Sequence, residues 1–331
     1  MKILRHILKS PGENVNDVNL LKKINVIFSL FAIPFTDKEK LKRMPIGYNL
    51  VAFFKKIRIR KSVSYGLVRA IKKIKFKMEI NQFSGFNSGP LPELEEFEKE
   101  GSCYIYGEDV KPLLIACTSI VNEKNYLRIP SPIAEKFHNP NILRKDDFKK
   151  YPEILKFAMN EKILKIVSDY LGMLPQITQI QLWLTPPNDT MISSQVFHID
   201  SDDMKIAKLF VNCSDVDGDS GPFTFHSKSD TKKFKEFHSI DYHDRYTDEF
   251  VEKALPSELP KEFLGKGSAI LVDTANCLHF GGRRNKKERL VFNVTYHPVP
   301  VVLEPAGHMP DIPAHLLSPQ QFLLFDKNQI S

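Results

Sequence analysis

The pattern of apolar and polar positions divides the 331-residue chain into stretches of different period. Residues 1–80 show little of the alternation that strands carry and read as helical or irregular. Between Val51 and Met78 apolar and basic residues interleave (VAFFKKIRIRKSVSYGLVRAIKKIKFKM). In its second half Leu67, Ile71, Ile74 and Phe76 or Met78 approximate a helical stripe opposite Arg69, Lys72, Lys73, Lys75 and Lys77. From Pro152 to Leu171 the period is helical again, with Ile163, Ile166, Val167, Tyr170 and Leu171 recurring and Gly172 placed as a C-cap. After Pro175 the period becomes two. Gln176–Thr185 (QITQIQLWLT) alternates, and strand-like runs follow at Gln195–Ile199, Ile206–Cys213, Pro222–Phe225, Ser268–Asp273 and Leu290–His297. Many short strands without long intervening helices predict an antiparallel sandwich or jelly roll rather than a parallel sheet.

Composition adds an asymmetry. With 42% apolar and 26% charged residues the chain has material for a sizeable core, which speaks against wholesale disorder. Residues 1–80 carry 19 Lys and Arg against 5 Asp and Glu, whereas the remainder carries 28 against 35. A basic first quarter suits either a solvated lysine face on a helix packed against the main domain, or contact with an anionic membrane surface or acidic partner. Residues 81–100, turn residues followed by the acidic stretch Glu93 to Glu100, mark the boundary region. The expected division is a basic, mostly helical extension (1–80) and a main domain (81–331). Cys103, Cys117, Cys213 and Cys277 are far apart and form no CxxC pair, which speaks against a zinc ribbon or a disulfide framework and suits a reduced cytoplasmic setting. Ile24 to Phe35 is apolar but, at 12 residues, short of the roughly 20 that span a bilayer, and it lacks a cleavage site.

Chemistry concentrates at His198-Ile199-Asp200, His279 and Arg289. Side chains at i and i+2 of a strand leave the same face, so His198 and Asp200 point together, and a distant strand can bring His279 opposite them. Two imidazoles and one carboxylate on one side of a cation form the facial triad that non-haem Fe(II) oxygenases use, leaving positions open for an oxo-acid cosubstrate and dioxygen. Arg289 opens the last long strand, ten residues after His279; its guanidinium fork matches a carboxylate such as the far end of 2-oxoglutarate. HxD alone is a weak signal. The ordered set of HxD, His and Arg on strands is much stronger.

The pieces DYLGMLP (Asp169–Pro175), QIQLWL (Gln179–Leu184), QVFHID (Gln195–Asp200), SGPFTF (Ser220–Phe225), GSAILVDTANCLHFGG (Gly267–Gly282) and RLVFNVTYH (Arg289–His297) together resemble the phytanoyl-CoA dioxygenase family of Fe(II)/2-oxoglutarate oxygenases, over residues 150 to 298. The resemblance implies a mainly β fold with flanking helices, built on a double-stranded β-helix (a cupin-like jelly roll). It implies His198, Asp200 and His279 as iron ligands, Arg289 as the cosubstrate anchor, and Gln181 at a position that touches cosubstrate or substrate; Gln181 otherwise reads as a polar residue on an exposed strand face. Asn293 shares strand parity with Arg289 and is expected to face the barrel interior beside the cosubstrate. Trp183 reads as a core aromatic first and a substrate wall second. His226, His238 and His243 read as solvated loop residues. Two departures stand out: HSKSD (His226–Asp230) replaces a PGSH-like turn, and Gly281 stands where relatives carry a hydroxyl.

The expected activity is hydroxylation of a small organic molecule, with 2-oxoglutarate and dioxygen consumed and succinate and CO2 released. Asp200, rather than a small residue at the third ligand position, favours hydroxylation over halogenation. A nucleic-acid-directed oxygenase is disfavoured, because Arg283 lies only four residues from His279. A non-catalytic barrel docked through residues 1–80 is the third reading.

Overall fold

The computed structural model describes residues 89, 91–124, 141–200, 202–238, 245–299, 301 and 309–331. The basic segment and the expected division after residue 80 lie outside them.

Among the described residues, five helices precede or interleave with the first strands: α1 (Pro92–Glu100), α2 (Lys111–Lys124), α3 (Lys145–Lys150), α4 (Glu153–Ala158) and α5 (Glu161–Leu171). The acidic stretch Glu93 to Glu100 lies within helix α1, and its Phe97 is fully buried and stacks on Tyr170 at 4.1 Å between ring centroids. The periodic segment from Pro152 to Leu171 breaks in two, because Asn160 caps α5 by accepting from the Ile163 N–H at 3.1 Å. Gly172 closes α5 in the left-handed conformation (φ 70°), as a C-cap should.

Strands β1 (Ser102–Tyr104), β2 (Gln176–Thr185), β3 (Ala207–Asn212), β6 (Ala269–Asp273) and β8 (Arg289–His297) form an antiparallel sheet in the order β1-β6-β3-β8-β2. A second antiparallel sheet has the order β5-β4-β7, from β4 (Phe223–Phe225), β5 (Lys261–Phe263) and β7 (His279–Phe280). Helices α6 (Lys228–Phe237) and α7 (Asp248–Ala254), capped by Ser227 and Thr247, lie between β4 and β5 in sequence. Helical residues outnumber strand residues among those described, so the fold is mixed rather than mainly β.

Alternation sorts the large sheet's side chains onto two faces. Leu182, Leu209, Val211, Leu271, Phe292 and Val294 join the helices in one core. Their neighbours Trp183, Phe210, Ile270, Val272 and Val291 point the other way and pack with Phe223, Phe225 and Phe263 of the small sheet. Ile177 and Ile180, three apart, both reach the helical core because the register shifts between Ile177 and Gln179, the signature of a bulge. Among the described residues, no helix is long and apolar enough to cross a membrane.

Candidate metal centre

The expected strand at Gln195–Ile199 is instead a short 3-10 turn (Ser193–Gln195) followed by two isolated bridges. Gln195 is spent on the turn: its carboxamide accepts from the Ile192 N–H at 2.9 Å and donates to the Gly282 carbonyl at 2.7 Å. One bridge joins His198 to His279, each backbone N–H donating to the other's carbonyl at 3.0 Å. The imidazoles consequently lie 4.2 Å apart between ring centroids. Asp200 follows, its N–H donating to the Thr274 carbonyl at 3.0 Å.

One ligand atom from each of His198, Asp200 and His279 lies within 4.8 Å of the others. Each imidazole is oriented by a main-chain carbonyl. His198 Nδ1 is 2.9 Å from the Val196 carbonyl and His279 Nδ1 is 2.8 Å from that of Cys277, so Nδ1 carries the proton and Nε2 keeps its lone pair free for a cation. Asp200 Oδ1 lies 3.8 Å from His198 Nε2, and Lys208 Nζ lies 2.7 Å from Asp200 Oδ2.

The electrostatics suit cation binding. Burial, reinforced by the facing His279, pushes the His198 imidazole down to about 3 against the pull of Asp200. Burial also lowers His279, against Asp200. For Asp200 burial works upward, but Lys208 and the two imidazoles outweigh it and hold the carboxyl well below the usual carboxylate range. Neutral imidazoles and an ionised carboxylate are the protonation states a divalent metal requires.

A cavity beside the triad is lined by Trp183, Lys208 and Phe210 from the large sheet, by Phe223, His198, His279 and Phe280, by Ser194 and Gly281, and by Arg289 and Val291 of β8. Arg289 is 3% exposed. Its Nη1 donates to the Gly221 carbonyl at 2.7 Å, while its Nε is buried without a partner among the described residues. No described carboxylate pairs with it, and burial lowers the guanidinium to about 10. Gly221 has to be glycine. Its φ is 62°, and a Cβ there would lie 3.0 Å from the Arg283 carbonyl oxygen and from Asn285 Cβ.

Gln181 and Asn293 face each other across the β2–β8 ladder on the inward face, one pair beyond Trp183 and Val291. Both are buried, Asn293 donating to the Leu209 carbonyl at 3.1 Å, and neither lines the cavity. Trp183 lines the cavity instead of sitting wholly in the core. Arg283 is engaged elsewhere: its Nη1 donates to Asp248 at 2.8 Å and its guanidinium lies 3.3 Å over the Phe280 ring. His226 is 2% exposed and packs against Phe197, contrary to its expected solvation; His243 lies outside the described residues.

Two residues near the triad carried a readable signal that pattern reading passed over. Lys208 sits at inward parity with Phe210 in the apolar strand AKLFVN, where a surface lysine would not belong. His297, fully buried at the end of β8, pairs its Nδ1 with the Thr178 hydroxyl at 2.8 Å and leaves Nε2 without a partner among the described residues.

No protein-family model matches the chain, and no curated protein does. Solved structures similar to it include the non-haem α-ketoglutarate-dependent carbocyclase SnoK from nogalamycin biosynthesis, at 11% identity over 64% of this chain and 85% of that one, with a TM-score of 0.43. HygX from Streptomyces hygroscopicus, with nickel and 2-oxoglutarate bound, is 12% identical over 70% and 95%, TM-score 0.43. EctD from S. alaskensis, with 2-oxoglutarate and 5-hydroxyectoine, is 15% identical over 66% and 82%, TM-score 0.46.

Proposed function

We propose that this protein is an Fe(II)- and 2-oxoglutarate-dependent dioxygenase that hydroxylates a small organic molecule. The observation that carries the reading is that one cavity is lined both by the two histidines of a His-Asp-His cluster, with Asp200 beside them, and by a buried arginine that no described carboxylate neutralises. A two-imidazole, one-carboxylate set suits Fe(II) and leaves positions open for cosubstrate and dioxygen. A buried guanidinium with an idle Nε suits the distal carboxylate of a dicarboxylic cosubstrate. The two facing sheets are read as a double-stranded β-helix, with the site between them.

His198 Nε2, His279 Nε2 and Asp200 would hold the metal. Bound iron would supply the redox chemistry, coupling decarboxylation of 2-oxoglutarate with dioxygen, to succinate and CO2, to insertion of one oxygen atom into a substrate C–H bond. The chain's own contribution is placement. Arg289 fixes the cosubstrate tail, with Gly221 holding the guanidinium from behind. Trp183, Phe210, Phe223 and Phe280 line the site with aromatic surface that excludes water. Gln181 and Asn293 are assigned to a buried polar layer behind the cavity lining, next to the cosubstrate, and residues 1–80 to a solvated basic face, with contact to an anionic membrane or acidic partner as the second reading.

The test is succinate release from 2-oxoglutarate in air, with and without Fe(II) and ascorbate. Iron-dependent succinate, lost in His198→Ala, supports the reading. Absence of iron-dependent succinate from wild type, together with no iron bound anaerobically, would sink it.

A further inference from the structure

We propose that Lys208 is a positioning residue for the metal, its ammonium holding Asp200 Oδ2 so that the carboxylate presents Oδ1 alone to the ion. The inference rests on the iron and 2-oxoglutarate reading above and adds to it the residue that shapes the third ligand.

The backbone places Lys208 firmly. It sits second in β3, opposite Val272 of β6 and Thr295 of β8, so strands flank it on both sides. Its neighbours Ala207 and Leu209 belong to the helical core, which sends the Lys208 side chain into the space between the sheets, where it lines the cavity. An ammonium in such a place needs a partner, because burying an unpaired charge is costly. The partner is Asp200: Nζ lies 2.7 Å from Oδ2, a close ion pair whose approach angle is not that of a hydrogen bond.

Asp200 has the opposite character. It lies outside any strand, and among the described residues its main chain is tied by a bond from its N–H to the Thr274 carbonyl. The terminal torsion of an aspartate is broad, so main-chain placement does not fix the plane of the carboxylate. Lys208 supplies that restraint. With Oδ2 engaged, Oδ1 is the oxygen on the histidine side, 3.8 Å from His198 Nε2. A carboxylate bound through one oxygen leaves three positions of an octahedral ion for a bidentate cosubstrate and dioxygen; one bound through both oxygens would use up a position. Outer partners of this kind commonly change metal affinity by 10- to 100-fold.

The opposite effect is equally concrete: a cation beside the site could repel a divalent ion, and its removal would then tighten binding. The sign of the change therefore decides the matter. The experiment titrates the full chain anaerobically with Co(II), by calorimetry and by the visible ligand-field spectrum, for wild type, Lys208→Met, Lys208→Gln and Lys208→Arg. Each protein is read below its melting transition. The expected result is about 10- to 100-fold weaker binding in Lys208→Met and Lys208→Gln, with an altered ligand-field spectrum, and recovery of affinity and spectrum in Lys208→Arg. Lys208→Gln gives the answer if Lys208→Met does not fold. Unchanged affinity and spectrum, or tighter binding, in the neutral variants overturns the inference and leaves the reading of function standing. Wild type that binds neither Co(II) nor Fe(II) overturns both.

Discussion

His198 and His279 are hydrogen-bonded partners across an antiparallel bridge, exchanging both main-chain bonds at 3.0 Å although 81 positions separate them in the chain. The contact fixes the separation of two imidazoles without using either side chain. Each Nδ1 then goes to a carbonyl two residues earlier, at 2.9 Å and 2.8 Å, so tautomer and ring orientation are also set by main chain.

The first prediction concerns proton competition. Burial, with His279 opposite, holds His198 at about 3, and burial lowers His279 as well. His198 is therefore neutral throughout pH 6 to 8, and His279, lowered from its ordinary range, binds fewer protons there than a free imidazole, so proton competition with the metal is weak. Co(II) affinity should change less than about threefold between pH 8 and pH 6 by calorimetry. Imidazoles of ordinary basicity would lose roughly fourfold each over that range.

Arg289 is predicted to trade stability for binding. A buried cation without a carboxylate partner is costly in the free protein. Arg289→Met should leave the ligand-free protein at least as heat-stable as wild type while weakening 2-oxoglutarate about 10- to 100-fold, the loss of one or two charge-assisted hydrogen bonds. Melting curves with and without 2-oxoglutarate measure both effects; a large fall in the ligand-free melting temperature would contradict the assignment.

Gly281 leaves room for a hydroxyl beside that arginine. A Cβ at Gly281 would meet Phe223 Cα at 3.5 Å and Arg289 Nη1 at 3.6 Å, ordinary contact distances. Gly281→Ser should fold normally and tighten 2-oxoglutarate by about fivefold, from one added hydrogen bond of about 1 kcal/mol. Weaker binding in a folded variant would show that the cosubstrate tail lies elsewhere.

Acid should destabilise the metal-free protein before carboxylates titrate. Burial pushes His297 from its ordinary 6.5 down to about 3. The unfolded chain takes up that proton below 6.5 and the folded chain does not, so stability is full above 6.5 and is lost as pH falls toward 3. At pH 5 the cost is roughly 2 kcal/mol for such a histidine. His297→Gln should flatten the fall in melting temperature between pH 7 and pH 5, measured in chelator; an unchanged slope would contradict this.

How far the site could be read in advance differs from residue to residue. Arg289 and Asn293 lie on a strand whose alternation is clean, so their inward parity was legible. His198, Asp200 and His279 were legible as a spaced set, although the strand expected at Gln195–Ile199 is a turn and bridges. There the two-residue parity gives way to a main-chain bridge that only tertiary pairing creates. Lys208 was hidden because a lysine on a strand reads as solvent-facing; its half-buried, inward position depends on Asp200 arriving from a separate loop. The helices α6 and α7 were hidden because their starts depend on side-chain caps at Ser227 and Thr247 rather than on an apolar period.

The central claim is that one cavity wall holds both a metal and 2-oxoglutarate. Anaerobic titration with Fe(II) and 2-oxoglutarate, followed through the weak visible charge-transfer band of the chelate, tests it most directly. Wild type should develop the band, His198→Ala should lose it, and Arg289→Ala should need about 10- to 100-fold more 2-oxoglutarate to reach it. A wild-type protein that gives no band at saturating iron and 2-oxoglutarate would contradict the account.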